Sequence, residues 1–145
     1  MTDHTDNPEV IDLVYLCGAI DMATDKDRKS WRETARDVLR QHGMSSFSPA
    51  HAFTYSGEDK RTAWAMRVIN DTAIRESDAL IVYIDPNVHT SGTYMEIQQA
   101  IEQRKPTVIV TPDPQRVNRM AYLKHTPMMA TFESAVTFLK HMQQR

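Results

Sequence analysis

Apolar residues in this chain fall into short runs separated by longer amphipathic stretches. Leu13-Val14-Tyr15-Leu16-Cys17 ends at Gly18 and reads as a first strand. From Asp25 to His42, Trp31, Ala35, Val38 and Leu39 recur at helical spacing, and Gly43 closes the helix as a C-cap. Met44 to Ser48 is a second strand, stopped by Pro49. Thr62 to Ser77 reads as a second helix, with Ala65, Val68, Ile69, Thr72 and Ala73 on one side. Ala79 to Ile84 is a third strand, Gly92 to Arg104 a third helix, and Pro106 to Val110 a fourth strand. A loop is expected to about Leu123, then a weak strand near Met128 to Ala130. Thr131 to Gln144 closes the chain as a helix capped by Thr131.

Strands that alternate with helices imply a parallel sheet covered on both faces. Near-continuous apolar runs are what buried parallel strands require. The expected fold class is α/β: a doubly wound, five-stranded parallel sheet of flavodoxin-like or Rossmann-like type. Residues 1–10 read as a disordered lead-in, and 11–145 as one domain. A chain of 145 residues is long enough for one core that buries roughly 70% of its unfolded surface.

Charge and composition narrow the partners. The net charge is -2, with both signs interspersed. No basic block suggests a nucleic-acid polymer. Met1 to Glu9 is polar, and no run approaches the ~20 apolar residues of a membrane span. With one cysteine, an internal disulfide is ruled out, and a cytoplasmic setting is expected. Cys17 lies inside an apolar strand and reads as a packing residue. The six histidines show no metal-ligand spacing, so neither metal nor cofactor is expected. Arg28 and Arg32 read as parts of a solvated helix face.

Candidate chemistry concentrates at Ser91-Gly92-Thr93-Tyr94-Met95-Glu96, where a strand end gives way to a helix. Open α/β sheets bind ligands there, and the unpaired N–H groups of a helix start suit anions or hydroxyls. Glu96 is expected in the first helical turn, beside the crevice. The first strand end offers Tyr15 and Gly18-Ala19-Ile20-Asp21; the third offers Asp85, His89, Thr90 and Ser91. Asn70-Asp71 sits on the helix before that third strand. Together these outline a carboxylate-rich pocket edged by hydroxyls.

Several of these pieces form a recognisable combination: Val14-Tyr15-Leu16-Cys17-Gly18-Ala19-Ile20, Trp31-Arg32, Asn70-Asp71, Ser77-Asp78-Ala79-Leu80-Ile81, Ser91-Gly92-Thr93-x-x-Glu96 and Lys105-Pro106. It resembles the nucleoside 2-deoxyribosyltransferase family, which includes N-glycosidases of 2'-deoxynucleoside 5'-monophosphates, and within it the short phage and bacterial members. The resemblance runs from residue 13 to about 140. It implies that Glu96 is the carboxylate acting at the anomeric carbon, that Tyr15 positions it, and that Asp71 lies near the base. It also implies that Asn118 and Met120 reach the sugar site of a neighbouring subunit, so that homodimers or larger assemblies share active sites. The family's nucleoside transferases carry an acid shortly before the loop glycine, where this chain has Thr90 beside Ser91. Two hydroxyls there favour a 5'-phosphate.

Breaking an N-glycosidic bond develops positive charge on the sugar. A neighbouring carboxylate can stabilise that charge or form a glycosyl ester, and a second acid can protonate the departing base. The expected partner is a small deoxynucleotide or deoxynucleoside. Two alternatives stay open: a ribonucleotide phosphoribohydrolase, whose Gly-Gly-x-Gly-Thr-x-x-Glu loop this chain matches only in part, and a non-catalytic nucleotide-binding module on the same fold.

Overall fold

The computed structural model describes residues 10–18, 25–48, 60–85, 92–118 and 126–143; of these, the side chains of 25–29, 60–67, 92–95 and 118 are not described. Five strands form one sheet: β1 (Leu13–Cys17), β2 (Ser45–Phe47), β3 (Ala79–Tyr83), β4 (Thr107–Val110) and β5 (Met128–Met129). Their order is β2-β1-β3-β4-β5 and every pairing is parallel. The helices are α1 (Asp25–Gln41), α2 (Lys60–Glu76), α3 (Gly92–Glu102), α4 (Pro114–Asn118) and α5 (Phe132–Met142). This is the expected doubly wound α/β architecture.

Alternation along the strands divides the core. Val14, Leu16, Ala79, Ile81, Val108 and Val110 face α1 and α5, against Trp31, Ala35, Leu39, Ala135, Val136 and Leu139. Tyr15, Cys17, Leu80, Val82 and Ile109 face the other way, against Ile74 of α2, Ile97 and Ala100 of α3, and Val117 of α4. Side chains two apart on β1 therefore share a face, which puts Tyr15 and Cys17 together opposite α3.

Local chemistry fixes the elements. The Asp78 carboxylate accepts from the backbone N–H groups of Asp12 (2.9 Å) and Leu13 (3.0 Å), and the Asp78 N–H donates back to the Leu13 carbonyl (2.8 Å). That exchange ties the start of β1 to the start of β3. Helix α1 ends in a Schellman turn: Met44 N–H bonds the Leu39 carbonyl and Gly43 N–H the Arg40 carbonyl, with Gly43 at φ 77°. Helix α3 ends in the same way through Lys105 and Arg104, and Arg104 takes the left-handed position at φ 57°. At α5 the Thr131 side chain accepts from the Ser134 N–H at 3.1 Å, as a cap should.

Two sequence expectations need correction. The segment after β4 is not all loop, because Pro114–Asn118 forms the short helix α4, started by the Asp113 carboxylate accepting from the Arg116 N–H at 3.1 Å. Proline at the first helical position suits such a start. Val117, within the expected loop, is fully buried in its own chain. Helix α2 is also turned from its expected phase. Val68, Ile69 and Thr72 are exposed, whereas Ile74 and Ser77 are buried and Asn70 and Ala73 are half-buried. The inward row runs through Asn70, Ala73, Ile74 and Ser77, so its polar members hid it from an apolar-periodicity reading.

Candidate active site

Tyr15 and Cys17 project from β1 onto Glu96 of α3. The Tyr15 hydroxyl donates a short hydrogen bond to Oε2 of Glu96. The Cys17 thiol donates to Oε1 at 3.6 Å. Both oxygens of one carboxylate are thus held by side chains two residues apart on one strand. Glu96 is the fifth residue of α3, so it lies one turn deeper than expected, and its carboxylate is hydrogen-bonded from β1.

The electrostatics follow from this enclosure. Withdrawal from water pushes the Glu96 carboxyl above the usual carboxylate range. The hydrogen bonds from Tyr15 and Cys17 and the positive charge of Arg32 pull it down; the charge of Asp71 pushes it up. Burial, then the Glu96 charge, raise the Tyr15 phenol far above its ordinary value. The same two causes, in the same order, raise the Cys17 thiol. Tyr15 and Cys17 therefore keep their protons at neutral pH and act as donors. A thiol so held is no nucleophile. Cys17 does pack in the core, but it also touches the carboxylate, a role the sequence reading did not assign.

Arg32 departs most from expectation. Read as a solvated residue, it is fully buried, with Nη2 donating to the Gly18 carbonyl at 3.1 Å and its guanidinium carbon 4.4 Å from the centre of the Trp31 ring. Gly18 lies against Trp31 so closely that a Cβ there would collide with the indole. Trp31 in turn stacks on Tyr83 (5.2 Å between ring centres) and Phe132 (6.1 Å).

The sequence-predicted site residues thus come together in part. Tyr15, Gly18 and Glu96 gather around the end of β1, while Asp71 is half-buried on α2 and its charge bears on Glu96. Gly92 and Thr93 open α3, and Asn118 ends α4, as backbone positions. Ala19, Ile20, Asp21, His89, Thr90, Ser91 and Met120 lie outside the described residues. Sequence reasoning missed Cys17 and Arg32 as site residues. The signal for Cys17 was its two-residue offset from Tyr15. Among the described residues no group of three or more His, Cys, Asp or Glu could hold a metal ion, and no helix is long and apolar enough to cross a membrane.

An all-parallel five-stranded sheet in this order, packed by helices on both faces, defines an α/β protein of the doubly wound class. The nucleoside 2-deoxyribosyltransferase family model matches residues 14–138; the chain belongs to this family of enzymes. A comparison with curated protein sequences gives no significant match. Among solved structures, a 2-deoxyribosyltransferase from Bacillus psychrosaccharolyticus is similar, with a TM-score of 0.70 at 18% identity, over 85% of this chain and 89% of that one. A 2-deoxyribosyltransferase from Leishmania mexicana gives 0.66 at 19% identity, over 90% and 98%. A CMP N-glycosidase from Clostridium botulinum gives 0.57 at 19% identity, over 90% and 98%. At these identities the likeness speaks for the fold.

Proposed function

We propose that this protein cleaves the N-glycosidic bond of 2'-deoxynucleoside 5'-monophosphates, with Glu96 as its catalytic carboxylate. The observation that carries this reading is the double clamp on Glu96, with Tyr15 on one oxygen and Cys17 on the other. Such a carboxylate is fixed in place and poorly solvated, and positive charge developing on a sugar would find it already oriented.

In this account the bond from C1' to the base nitrogen breaks as the Glu96 carboxylate closes on C1'. The departing base takes up a proton from an acid beside it, and Asp71 is the residue assigned to the neighbourhood of the base. The sugar, held as a glycosyl ester or a stabilised cation, then passes to water or to a second base. Hydrolysis and transfer differ only in that acceptor, and hydrolysis of nucleotides is the favoured outcome. Thr90 and Ser91, with the N–H groups at the start of α3, hold the 5'-phosphate. The protein works as a homodimer or larger assembly whose sites are shared, with Asn118 and Met120 crossing to a neighbour. The exposed Val68, Ile69 and Ile101 on α2 and α3 support an assembled state.

The test is base release from a panel of deoxynucleoside monophosphates, deoxynucleosides and ribonucleoside monophosphates, with and without an acceptor base. The reading expects release from the deoxy monophosphates above all, and a Ser91→Ala variant whose KM rises more for monophosphates than for nucleosides. Equal kcat/KM with and without the phosphate contradicts the phosphate assignment. Release from ribonucleotides only would transfer the protein to phosphoribohydrolase chemistry. Binding without any release would leave a nucleotide-binding module.

A further inference from the structure

Arg32 is a fully buried cation that the proposed chemistry does not use. It belongs to α1, and its neighbour Trp31 packs on the sheet face opposite Glu96. Its guanidinium meets the Gly18 carbonyl at 3.1 Å, one residue past the end of β1. Taking a charge out of water is strongly unfavourable unless opposite charge and hydrogen bonds compensate it. Tyr15 and Cys17, which hold Glu96, lie on the strand whose exit Arg32 grips. Among the described residues, the groups bearing on Glu96 from the packed elements are Tyr15 and Cys17 of β1, Arg32 of α1 and Asp71 of α2. Of these, Arg32 alone is a cation.

We propose that Arg32 is a positioning residue of this site, a buried cation that fixes the exit of β1 through the Gly18 carbonyl and balances the Glu96 carboxylate. The positive charge favours the ionised forms of Tyr15, Cys17 and Glu96 alike, which agrees with this placement. The kinetic side of the proposal rests on Glu96 being the reacting carboxylate; the pairing of the two charges does not.

Two measurements test it. The first is a thermal-unfolding cycle at pH 7 on the unchanged protein, Arg32→Gln, Glu96→Gln and the double variant. If the charges balance each other, the loss of midpoint caused by Arg32→Gln is at least halved in the Glu96→Gln background. Equal losses in the two backgrounds overturn the proposal, whether or not the protein releases base. The second is the pH profile of base release from its best monophosphate substrate. Arg32→Gln should move the acid limb to higher pH, losing about tenfold more activity at pH 6 than at pH 8.5, since each tenfold corresponds to about 1.4 kcal/mol. Arg32→Lys, which keeps the charge, should retain the original limb. An unmoved limb in Arg32→Gln, or uniform loss at every pH, overturns the proposal. If Arg32→Gln does not fold, folding of the double variant supports the pairing. If neither folds, Arg32→Lys decides: an original limb supports the charge role, and a displaced limb or an unfolded protein overturns it.

Discussion

Tyr15 and Glu96 lie 81 positions apart in sequence and are joined by a short hydrogen bond from the phenol to the carboxylate. The bond fastens β1 to the second turn of α3 at the end of the sheet where ligands bind in this fold. It orients the carboxylate and pulls down an acid that burial raises.

Tyr15→Phe removes this donor and little else, since the ring stays packed against Phe47 at 5.8 Å between ring centres. A hydrogen bond to a charged group contributes about 1.5–3 kcal/mol, so kcat should fall about ten- to a hundredfold. KM should change much less. Because the phenol holds the Glu96 carboxyl down, the acid limb of activity should also move to higher pH. Steady-state kinetics from pH 5 to about 9, spanning the usual working range of such groups, read both effects.

Glu96 makes stability depend on pH in a stated direction. Its carboxyl is raised in the folded chain by burial, so the folded state holds that proton more tightly than the unfolded state. The stability this gives is fully present below the ordinary carboxylate range. It is lost as pH rises through the raised folded value. Glu96→Gln stands in for the protonated form at every pH. Its melting midpoint should therefore match that of the parent in acid and exceed it at neutral pH. A midpoint below the parent's at neutral pH contradicts this account of the site.

Gly18 and Gly43 are required for different reasons. A Cβ at Gly18 meets the Trp31 ring, with two further ring atoms at 3.1 and 3.3 Å. Gly18→Ala should then destabilise by about 1–3 kcal/mol, the range of overpacked cores, and shift Trp31 fluorescence. At Gly43 there is space, with nothing within 4 Å, but φ is 77°. Gly43→Ala should cost about 1–2 kcal/mol through the left-handed backbone alone and leave base release unchanged. Denaturant unfolding separates the two by size and by the tryptophan signal.

Shared sites predict complementation. Glu96→Gln and Asn118→Ala chains, each inactive as homodimers, should regain activity when mixed, because a hybrid dimer holds one intact composite site. Light scattering on the unchanged protein should show a dimer or larger species. A fully active monomer would rule the shared site out.

β1, β3 and β4 were legible because parallel buried strands are written as apolar runs, whereas β2, Ser45–Phe47 with an exposed first serine, was marked by Gly43 before it and Pro49 after it; all five strands fall within two residues of their expected ends. The meeting of Tyr15 with Glu96 was legible because one lies on the first strand and the other on the helix that follows the third. Arg32 was not, because its neighbours on α1 look like those of a solvated face and its burial arises from contact with Gly18, 14 positions away. The phase of α2 escaped for a related reason. Its inward row carries Asn70, whose Oδ1 is buried with no hydrogen-bond partner among the described residues, while Val68 and Ile69 face outward. Both misreadings fall where polar groups replace apolar ones, as is expected near functional sites.

The central claim is that Glu96 carries the chemistry, and it is tested most directly by base release under saturating deoxynucleoside monophosphate from the unchanged protein and from Glu96→Gln. The substitution keeps the side chain's size and removes the charge that faces the sugar. The account predicts a folded variant whose kcat is lower by at least ~100-fold, the scale of losing one preorganised electrostatic group. A folded Glu96→Gln protein that turns over at close to the unchanged rate would contradict it.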